Sequence, residues 1–164
     1  MKMRLTLQVI LLFILSLQVM GQGFTDSNLP IVIISTDDGV TIPDEPKVKA
    51  TMKIIDRGPG ERNYVTDKDN PLYLNYNGRI GIETRGSSSQ ESPKKNYGFK
   101  TRKDDDKTNN NVSLLGMPGE NDWILGGMVF DTAFIRDYFC HNLYGKMGNY
   151  ASRAVYCEVI INDN

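Results

Sequence analysis

Alternating apolar and polar side chains predict that most of this chain is β-sheet. The clearest alternation runs over 47–56, where apolar residues alternate with solvent-seeking ones: Val48, Ala50, Met52 and Ile54 against Lys47, Lys49, Thr51 and Lys53. This pattern is typical of a strand with one buried and one solvated face. Leu29–Thr36 is rich in β-branched residues, which also favours a strand.

The same signals predict further strands at Leu72–Tyr76 (short), Gly78–Arg85, Asn96–Arg102, Trp123–Val129 and Ala154–Ile161. The apolar run at Trp123–Val129 indicates a strand in the centre of the sheet, where both faces are covered. A turn at 162–164 then follows the last strand. A strand and turn with no returning partner leave an open edge, which indicates a fragment or the first part of a longer protein.

The spacing of apolar residues changes to a helical period at Asp131–Met147. The apolar stripe of this predicted helix is formed by Phe134, Ile135, Tyr138, Phe139, Leu143 and Met147. Asp131 is a favourable N-cap, and Gly148 is suited to the left-handed position that ends a helix. Several strands followed by one helix and one strand predict an α+β fold with a mainly antiparallel sheet.

The N-terminus has the composition of a cleavable signal peptide. Lys2 and Arg4 precede an uncharged, mostly apolar segment whose unbroken core, 9–15, is short for a membrane span. Val19 and Gly21 are small enough for positions three and one before a cleavage site. We therefore expect export, with 1–21 removed and 22–164 folded; an uncleaved N-terminal anchor is the alternative.

The composition and charge of the chain argue against several classes of binding partner. The 143 residues after Gly21 carry 17 basic and 20 acidic side chains, a formal charge of −3. This charge argues against binding to nucleic acid or to an anionic membrane, and no second apolar run predicts a membrane span. Cys140 and Cys157 are too few for a disulfide scaffold; they form either one disulfide or two buried thiols in a helix and a strand.

The segment Glu83–Lys100, ETRGSSSQESPKKNYGFK, carries the most distinctive chemistry. A strand leads to Arg85, followed by a glycine, three serines, a lysine pair and a second strand. Backbone amides, hydroxyls, guanidinium and ammonium groups all suit phosphate oxygens, so this hairpin is a candidate anion cradle. On spacing alone, a solvated turn with incidental charges is the alternative.

Three strings in order extend this signal: RGSSSQESPKKNYGFK, LLGMPGENDWILGG and DTAFIRDYFCHNLYGKMGNYASRAVYCEVIIN. Together, from Arg85 to Asn162, they resemble the CotH kinase family, which is named after a spore-coat protein. The resemblance implies an atypical protein-kinase-like fold. It also implies ATP- and Mg-dependent phosphorylation of protein serine or threonine, with a nucleotide and a secreted or surface protein as partners.

The resemblance assigns cofactor-binding residues by motif. Arg85, Ser87 and Ser88 match the family's Arg-Gly-x-Ser loop, Lys94 and Lys95 match its lysine pair, and Lys100 matches the lysine of the following strand. By analogy with kinase-like folds, Lys95 or Lys100 is expected to pair with the α- and β-phosphates. An ordinary surface lysine is the alternative at each position.

Other motif residues are interpreted as structural. Arg136 and Asp137 are expected to form an ion pair that ties the helix to the sheet, and Trp123 and Asp122 to supply a buried ring and a turn carboxylate. His141 is expected on the helix surface or partly buried. The acidic runs Asp67–Asp69 and Asp104–Asp106 are interpreted as solvated turns, or at most as weak Ca²⁺ contacts.

The resemblance also implies what should follow this sequence. In the family the Mg-binding acidic residues come after the last motif matched here, so we assign no metal ligands. We predict that 22–164 is the N-terminal portion of the kinase-like domain, truncated before its metal-binding half and inactive alone. The alternative is a non-catalytic cell-surface or coat-assembly module that keeps the fold without the chemistry.

Overall fold

The computed structural model of the protein describes residues 23–162. The predicted signal peptide and its cleavage site lie outside these residues. The described chain forms eight strands and one α-helix: β1 Asp26–Ser27, β2 Ile31–Thr36, β3 Val48–Ile55, β4 Asn63–Tyr64, β5 Leu74–Arg85, β6 Asn96–Arg102, β7 Asp122–Leu125, α1 Arg136–Lys146 and β8 Glu158–Ile161.

Six of the strands form one sheet in the order β7-β6-β5-β3-β2-β8, and β1 pairs with β4 in a small separate ribbon. Every pairing in the large sheet is antiparallel except β2 with β8, which is parallel. The predicted α+β class with a mainly antiparallel sheet is therefore confirmed.

Three strand predictions need correction. The strand expected at Ala154–Ile161 is limited to β8, Glu158–Ile161. The separate strands expected at Leu72–Tyr76 and Gly78–Arg85 are one 12-residue strand, β5, which pairs with β3 from Leu74 to Ile82. The strand expected at Trp123–Val129 covers only Asp122–Leu125 and lies at the sheet edge, not at the centre. Its apolar run is misleading because Ile124 is 62% exposed on the uncovered face.

The apolar face of the sheet forms the main core. Its buried members come from β2, β3, β5, β6 and two loops: Val32, Ile34, Ile42, Ala50, Met52, Ile54, Ile80, Ile82, Phe99 and Leu114. The segment 112–117 packs across this face, and the Trp123 ring stacks on Phe99 with centroids 6.5 Å apart. Trp123 is only partly buried. Because strand residues alternate, the opposite face receives most of the lysines, arginines and carboxylates, beside a smaller buried cluster of Ile31, Ile33 and Ile55.

The helix begins five residues later than predicted. Phe134 adopts a left-handed backbone with φ 54°, which breaks any helix entering from Asp131. At the other end α1 stops as expected, with Gly148 at φ 87°. No residue of α1 is buried, so the predicted apolar stripe faces solvent in the described chain.

The two cysteines are not bonded to each other. Cys140 is exposed on α1, so the alternative of two buried thiols is wrong for this residue. Cys157 is half-buried immediately before β8 and packs against the main core. Within 23–162, no helix has both the length and the apolar character needed to cross a membrane.

Candidate functional site

The charged face of the sheet carries a cleft at the end of the β5–β6 hairpin. Alternation places Glu83 and Arg85 of β5 on this face, and the antiparallel register brings Gly98 opposite Glu83. The cleft has a volume of about 380 Å³. Its lining is polar: Asp44, Glu45, Lys47, Glu83, Thr84, Arg85, Gly86, Gly98 and Asp122.

The loop from Gly86 to Lys95 closes one end of this cleft and has a defined architecture. Gly86 has φ 106°, and a Cβ at this position would lie 2.2 Å from the hydroxyl oxygen of Ser89, so glycine is required. The Asn96 side-chain amide donates to that hydroxyl oxygen at 3.2 Å. The Gln90 amide donates to the Gly86 carbonyl at 2.7 Å and to the Asp44 carboxylate at 2.6 Å. Ser89, Gln90 and Asn96 therefore shape the loop.

The predicted lysine pair does not line the cleft. The Lys95 ammonium donates to the Gln90 carbonyl at 2.6 Å and so fastens the loop from within. The Lys94 ammonium lies 4.9 Å above the Phe134 ring, next to the segment that leads into α1. Both lysines have a structural contact, and their assignment to nucleotide binding stays a prediction.

Lys100 lies on the same face of the sheet as Arg85 but is paired. Its ammonium is 3.2 Å from the carboxylate of Asp122, its cross-strand neighbour on β7. Asp122 reaches the cleft lining, whereas Lys100 does not. The interpretation of Asp122 as a turn carboxylate is therefore wrong: it is an exposed strand residue that pairs across the sheet.

Arg85 differs from the other basic residues of this face. Its guanidinium is exposed in the cleft and has no ion pair or side-chain hydrogen bond within 23–162. Ser87 and Ser88 follow it in the exposed loop, and their hydroxyls likewise have no partner in this part of the chain. Of the predicted site residues, these three and Lys94, whose ammonium contacts only the Phe134 ring, make no side-chain hydrogen bond or ion pair within the described residues.

Sequence reasoning missed one charged pair in the cleft. Lys47 and Glu83 form an ion pair there, and their side chains are only 20% and 22% exposed. The alternation at 47–56 had placed Lys47 on the solvated face, but 36 residues separate it from Glu83, and no local pattern links them.

The acidic runs interpreted as solvated turns need correction. Asp67 is buried and accepts two hydrogen bonds from Arg57, at 2.8 and 3.0 Å, which lower the pKa of its carboxyl. Asp106 accepts a 2.6 Å hydrogen bond from Arg79, which likewise lowers its pKa. Among residues 23–162, no group of three or more His, Cys, Asp or Glu side chains is arranged to hold a metal ion.

The helix motif is also arranged differently from the prediction. Arg136 is paired with Asp131, at 3.6 Å, and not with Asp137. The Asp131 carboxylate accepts a hydrogen bond from the backbone N–H of Arg136, which lowers the pKa of Asp131. Asp131 thus satisfies a free amide of the first turn, although Ile135 occupies the N-cap position. His141 is exposed on α1, as expected.

Comparison with known proteins identifies the family. The model of the CotH kinase protein family matches residues 82–164, half of the chain. This match begins three residues before Arg85 and covers the three strings on which the resemblance rested. No curated protein and no solved structure matches the chain. The chain belongs to the CotH kinase family.

Proposed function

We propose that this chain is the N-terminal, phosphate-contacting part of an exported CotH-type protein kinase. In this proposal the enzyme transfers a phosphoryl group from ATP to serine or threonine of secreted or surface proteins. Membership of the family supports a kinase-related function. The nucleotide, the acceptor and export are parts of the proposal.

The observation that carries the proposal is the unpaired guanidinium of Arg85 in a polar cleft. An arginine without a carboxylate partner is a strong binding site for a phosphate, because its N–H groups can donate to two phosphate oxygens at once. Most arginines on the described chain contact an acidic side chain, including Arg57, Arg62, Arg79 and Arg136. Arg85 is held in place by β5 and retains its hydrogen-bonding capacity.

The described residues fit the phosphate groups of ATP better than its metal. Arg85 would bind phosphate oxygens, and the hydroxyls of Ser87 and Ser88 are available to donate further hydrogen bonds. Bound Mg–ATP supplies the transferable phosphoryl group, and the metal offsets negative charge on the phosphates. That charge matters here because four carboxylates also line the cleft: Asp44, Glu45, Glu83 and Asp122.

The proposal is tested by titrating Mg–ATP into the purified protein, using the longest product of the gene, with calorimetric detection. Replacing Arg85 with alanine should weaken binding about tenfold or more, because a charge-assisted hydrogen bond contributes about 1.5–3 kcal/mol. Transfer of a labelled γ-phosphate to secreted proteins of the same cell then tests for kinase activity. Arg85→Ala should reduce that transfer as well.

Lys103→Ala is the matched control. Lys103 is an exposed cation immediately after β6, at the opposite end of the hairpin from Arg85, as the Arg79–Arg102 pairing shows. Its removal changes the net charge by the same amount and should leave nucleotide affinity unchanged. Equal affinities of the wild type and Arg85→Ala would disprove the role of Arg85, and absence of any nucleotide binding would disprove the proposed function.

Export is the remaining part of the proposal. It rests on the charged-then-apolar N-terminus and on the small residues Val19 and Gly21. N-terminal sequencing of the protein recovered from outside the cytoplasm should begin at Gln22. Recovery only from the cytoplasm with Met1 intact would contradict it.

A second candidate function is a non-catalytic surface or coat-assembly module. The observation that favours it is the charge of the cleft, where four carboxylates outnumber the two basic side chains, Lys47 and Arg85. A cleft of this charge repels a triphosphate unless a cation accompanies it. Failure of Mg–ATP to bind at millimolar concentration, together with normal assembly of the protein at the cell surface, would favour this candidate.

A further inference from the structure

We propose that Lys47, held by Glu83, is the lysine that binds a phosphate group of the nucleotide beside Arg85. This inference rests on the proposed function, since it names a further residue of the same cleft. It also differs from the assignment by motif, which chose Lys95 or Lys100 for this role.

The sheet register brings Lys47 and Glu83 together. Val48 pairs with Ile82 across β3 and β5, so the preceding residue, Lys47, lies opposite Glu83. Both side chains point to the charged face, where opposite charges at directly facing positions attract each other. Their ion pair is largely shielded, with 20% and 22% of the two side chains exposed.

Two glycines lie beneath this pair on the surface of the sheet. A Cβ built at Gly81 would lie 3.5 Å from the Cβ of Lys47, so the lysine stem runs across this glycine. A Cβ built at Gly98 would lie 3.6 Å from a carboxylate oxygen of Glu83. A Cβ at either position would meet the pair at ordinary van der Waals distance, so the glycine backbone lies directly beneath Lys47 and Glu83. The backbone therefore forms a floor on which Lys47 and Glu83 lie flat.

Lys47 lines the cleft, which distinguishes it from the lysines chosen by motif. Lys47 lines the cleft together with Arg85, whereas Lys94, Lys95 and Lys100 do not. Lys95 is engaged by the Gln90 carbonyl and Lys100 by Asp122. Lys47 is thus the described lysine that shares a cavity with the unpaired guanidinium.

The segment 42–44, which precedes Lys47 in the chain, is hydrogen-bonded to the β5–β6 hairpin. The backbone N–H of Thr84 donates to the Pro43 carbonyl at 2.7 Å, and the Thr84 hydroxyl donates to the Ile42 carbonyl at 3.1 Å. Gln90, in the loop from Gly86 to Lys95, donates a further hydrogen bond to Asp44. These contacts hold the segment before β3 against the end of β5, so the position of Lys47 relative to Arg85 is set by rigid elements.

The chemistry of the pair suits a phosphate ligand. An ammonium group has three donors, and Glu83 engages Lys47 from one side, which leaves donors for phosphate oxygens. A carboxylate that orients a phosphate-binding lysine is an arrangement used in phosphoryl transfer. Glu83 touches Lys47, not the ligand, in this proposal and is therefore a positioning residue.

The test compares two ion pairs on the same face of the sheet. Lys47→Met should weaken Mg–ATP binding about tenfold or more, and Lys47→Arg should restore most of the affinity because it keeps the cation. The control is Lys53→Met: Lys53 lies six residues further along the same face and pairs with Asp69 at 2.6 Å, outside the cleft. Lys53→Met should leave the affinity unchanged. Thermal melting of each variant reports whether the fold is intact.

A double-mutant cycle tests the role of Glu83. Glu83→Gln alone should weaken binding, because Lys47 is then no longer held in place. In the Lys47→Met background the same change should not weaken binding further, whereas a merely structural contribution would persist in both backgrounds. Asp69→Asn, which breaks the control pair, should have no effect in either background.

The outcomes distinguish this inference from the proposed function. If the wild type binds Mg–ATP and Lys47→Met binds it equally well, the inference is wrong and the proposed function stands. If Lys95→Met or Lys100→Met weakens binding while Lys47→Met does not, the motif assignment is correct instead. If the wild type binds no nucleotide, both are wrong.

Discussion

The backbone N–H of Gly127 donates a hydrogen bond of 2.6 Å to the side-chain oxygen of Asn96, 31 residues earlier in the chain. At this point the segment after β7 crosses the backbone of the lysine pair. A Cβ built at Gly127 would lie 2.7 Å from the Lys95 carbonyl oxygen and 3.0 Å from that of Lys94. The second glycine of the Leu-Gly-Gly string therefore holds the end of the candidate site in place.

We expect Gly127→Ala to destabilise the protein by about 1–3 kcal/mol, because a methyl group collides with backbone that cannot move aside without breaking the Asn96 hydrogen bond. Gly126→Ala is the matched control, since a Cβ there meets only Met128, at 3.9 Å. Urea denaturation measures both variants. Equal midpoints for the two would show that the close approach at Gly127 is unimportant.

Local patterns predicted the elements that depend on neighbours in sequence. The bounds of β6 match the expected Asn96–Arg102, and β3 differs from its prediction by one residue at each end. In both strands the alternation has one apolar and one polar face, which fixes the orientation of each side chain. The charged face on which the candidate cleft lies was therefore predictable at β3.

Features that depend on distant partners were not predictable. The edge position of β7 is set by strand order, which no local pattern contains. The Lys47–Glu83 pair and the contact of Gly127 with Lys95 join segments about thirty residues apart. The start of α1 depends on the left-handed backbone at Phe134, a conformation that an apolar stripe does not reveal. Arg85, which the family motif selects, lies in a cleft, whereas no local pattern brings Lys47 to the same cleft.

Arg79 ties two loops to the charged face and should make stability depend on pH. Its guanidinium donates to Asp37 at 2.6 and 2.9 Å and to Asp106 at 2.6 Å. These hydrogen bonds lower the pKa of both carboxyls. A carboxyl whose pKa is lowered by folding stabilises the native state above its unfolded pKa, near 3.9, and loses that contribution as the pH falls through the folded value.

We therefore expect Arg79→Met to lower the melting temperature near neutral pH, and the difference from the wild type to shrink below about pH 4. Melting curves between about pH 7 and about pH 2 measure this. Arg79→Lys should recover only part of the loss, because a single ammonium cannot engage two carboxylates as the forked guanidinium does. A difference that stays constant down to the lowest pH would contradict the role of these carboxyls.

Asp131 should determine how well the first turn of α1 forms. Its carboxylate accepts hydrogen bonds from the backbone N–H groups of Arg136 at 2.7 Å and Ala133 at 3.2 Å. We expect Asp131→Ala to lower the melting temperature by about 2–6 °C, whereas Asp131→Asn keeps an acceptor oxygen and should lower it less. Asp137→Ala, in the same turn but without such bonds, is the control. A larger effect at Asp137 would show that charge alone, not capping, stabilises this turn.

The two thiols should react at very different rates. Burial raises the pKa of the Cys157 thiol to about 11, whereas Cys140 is exposed on α1. Because the thiolate is the reactive form, a maleimide at about pH 8 should label Cys140 rapidly and Cys157 far more slowly. Cys140→Ser should remove the rapid phase, and each unit of rising pH should accelerate the slow phase about tenfold up to the pKa. Labelling of no thiol until a reductant is added would show instead that Cys140 and Cys157 are bonded, which requires the segment between α1 and β8 to adopt a different path.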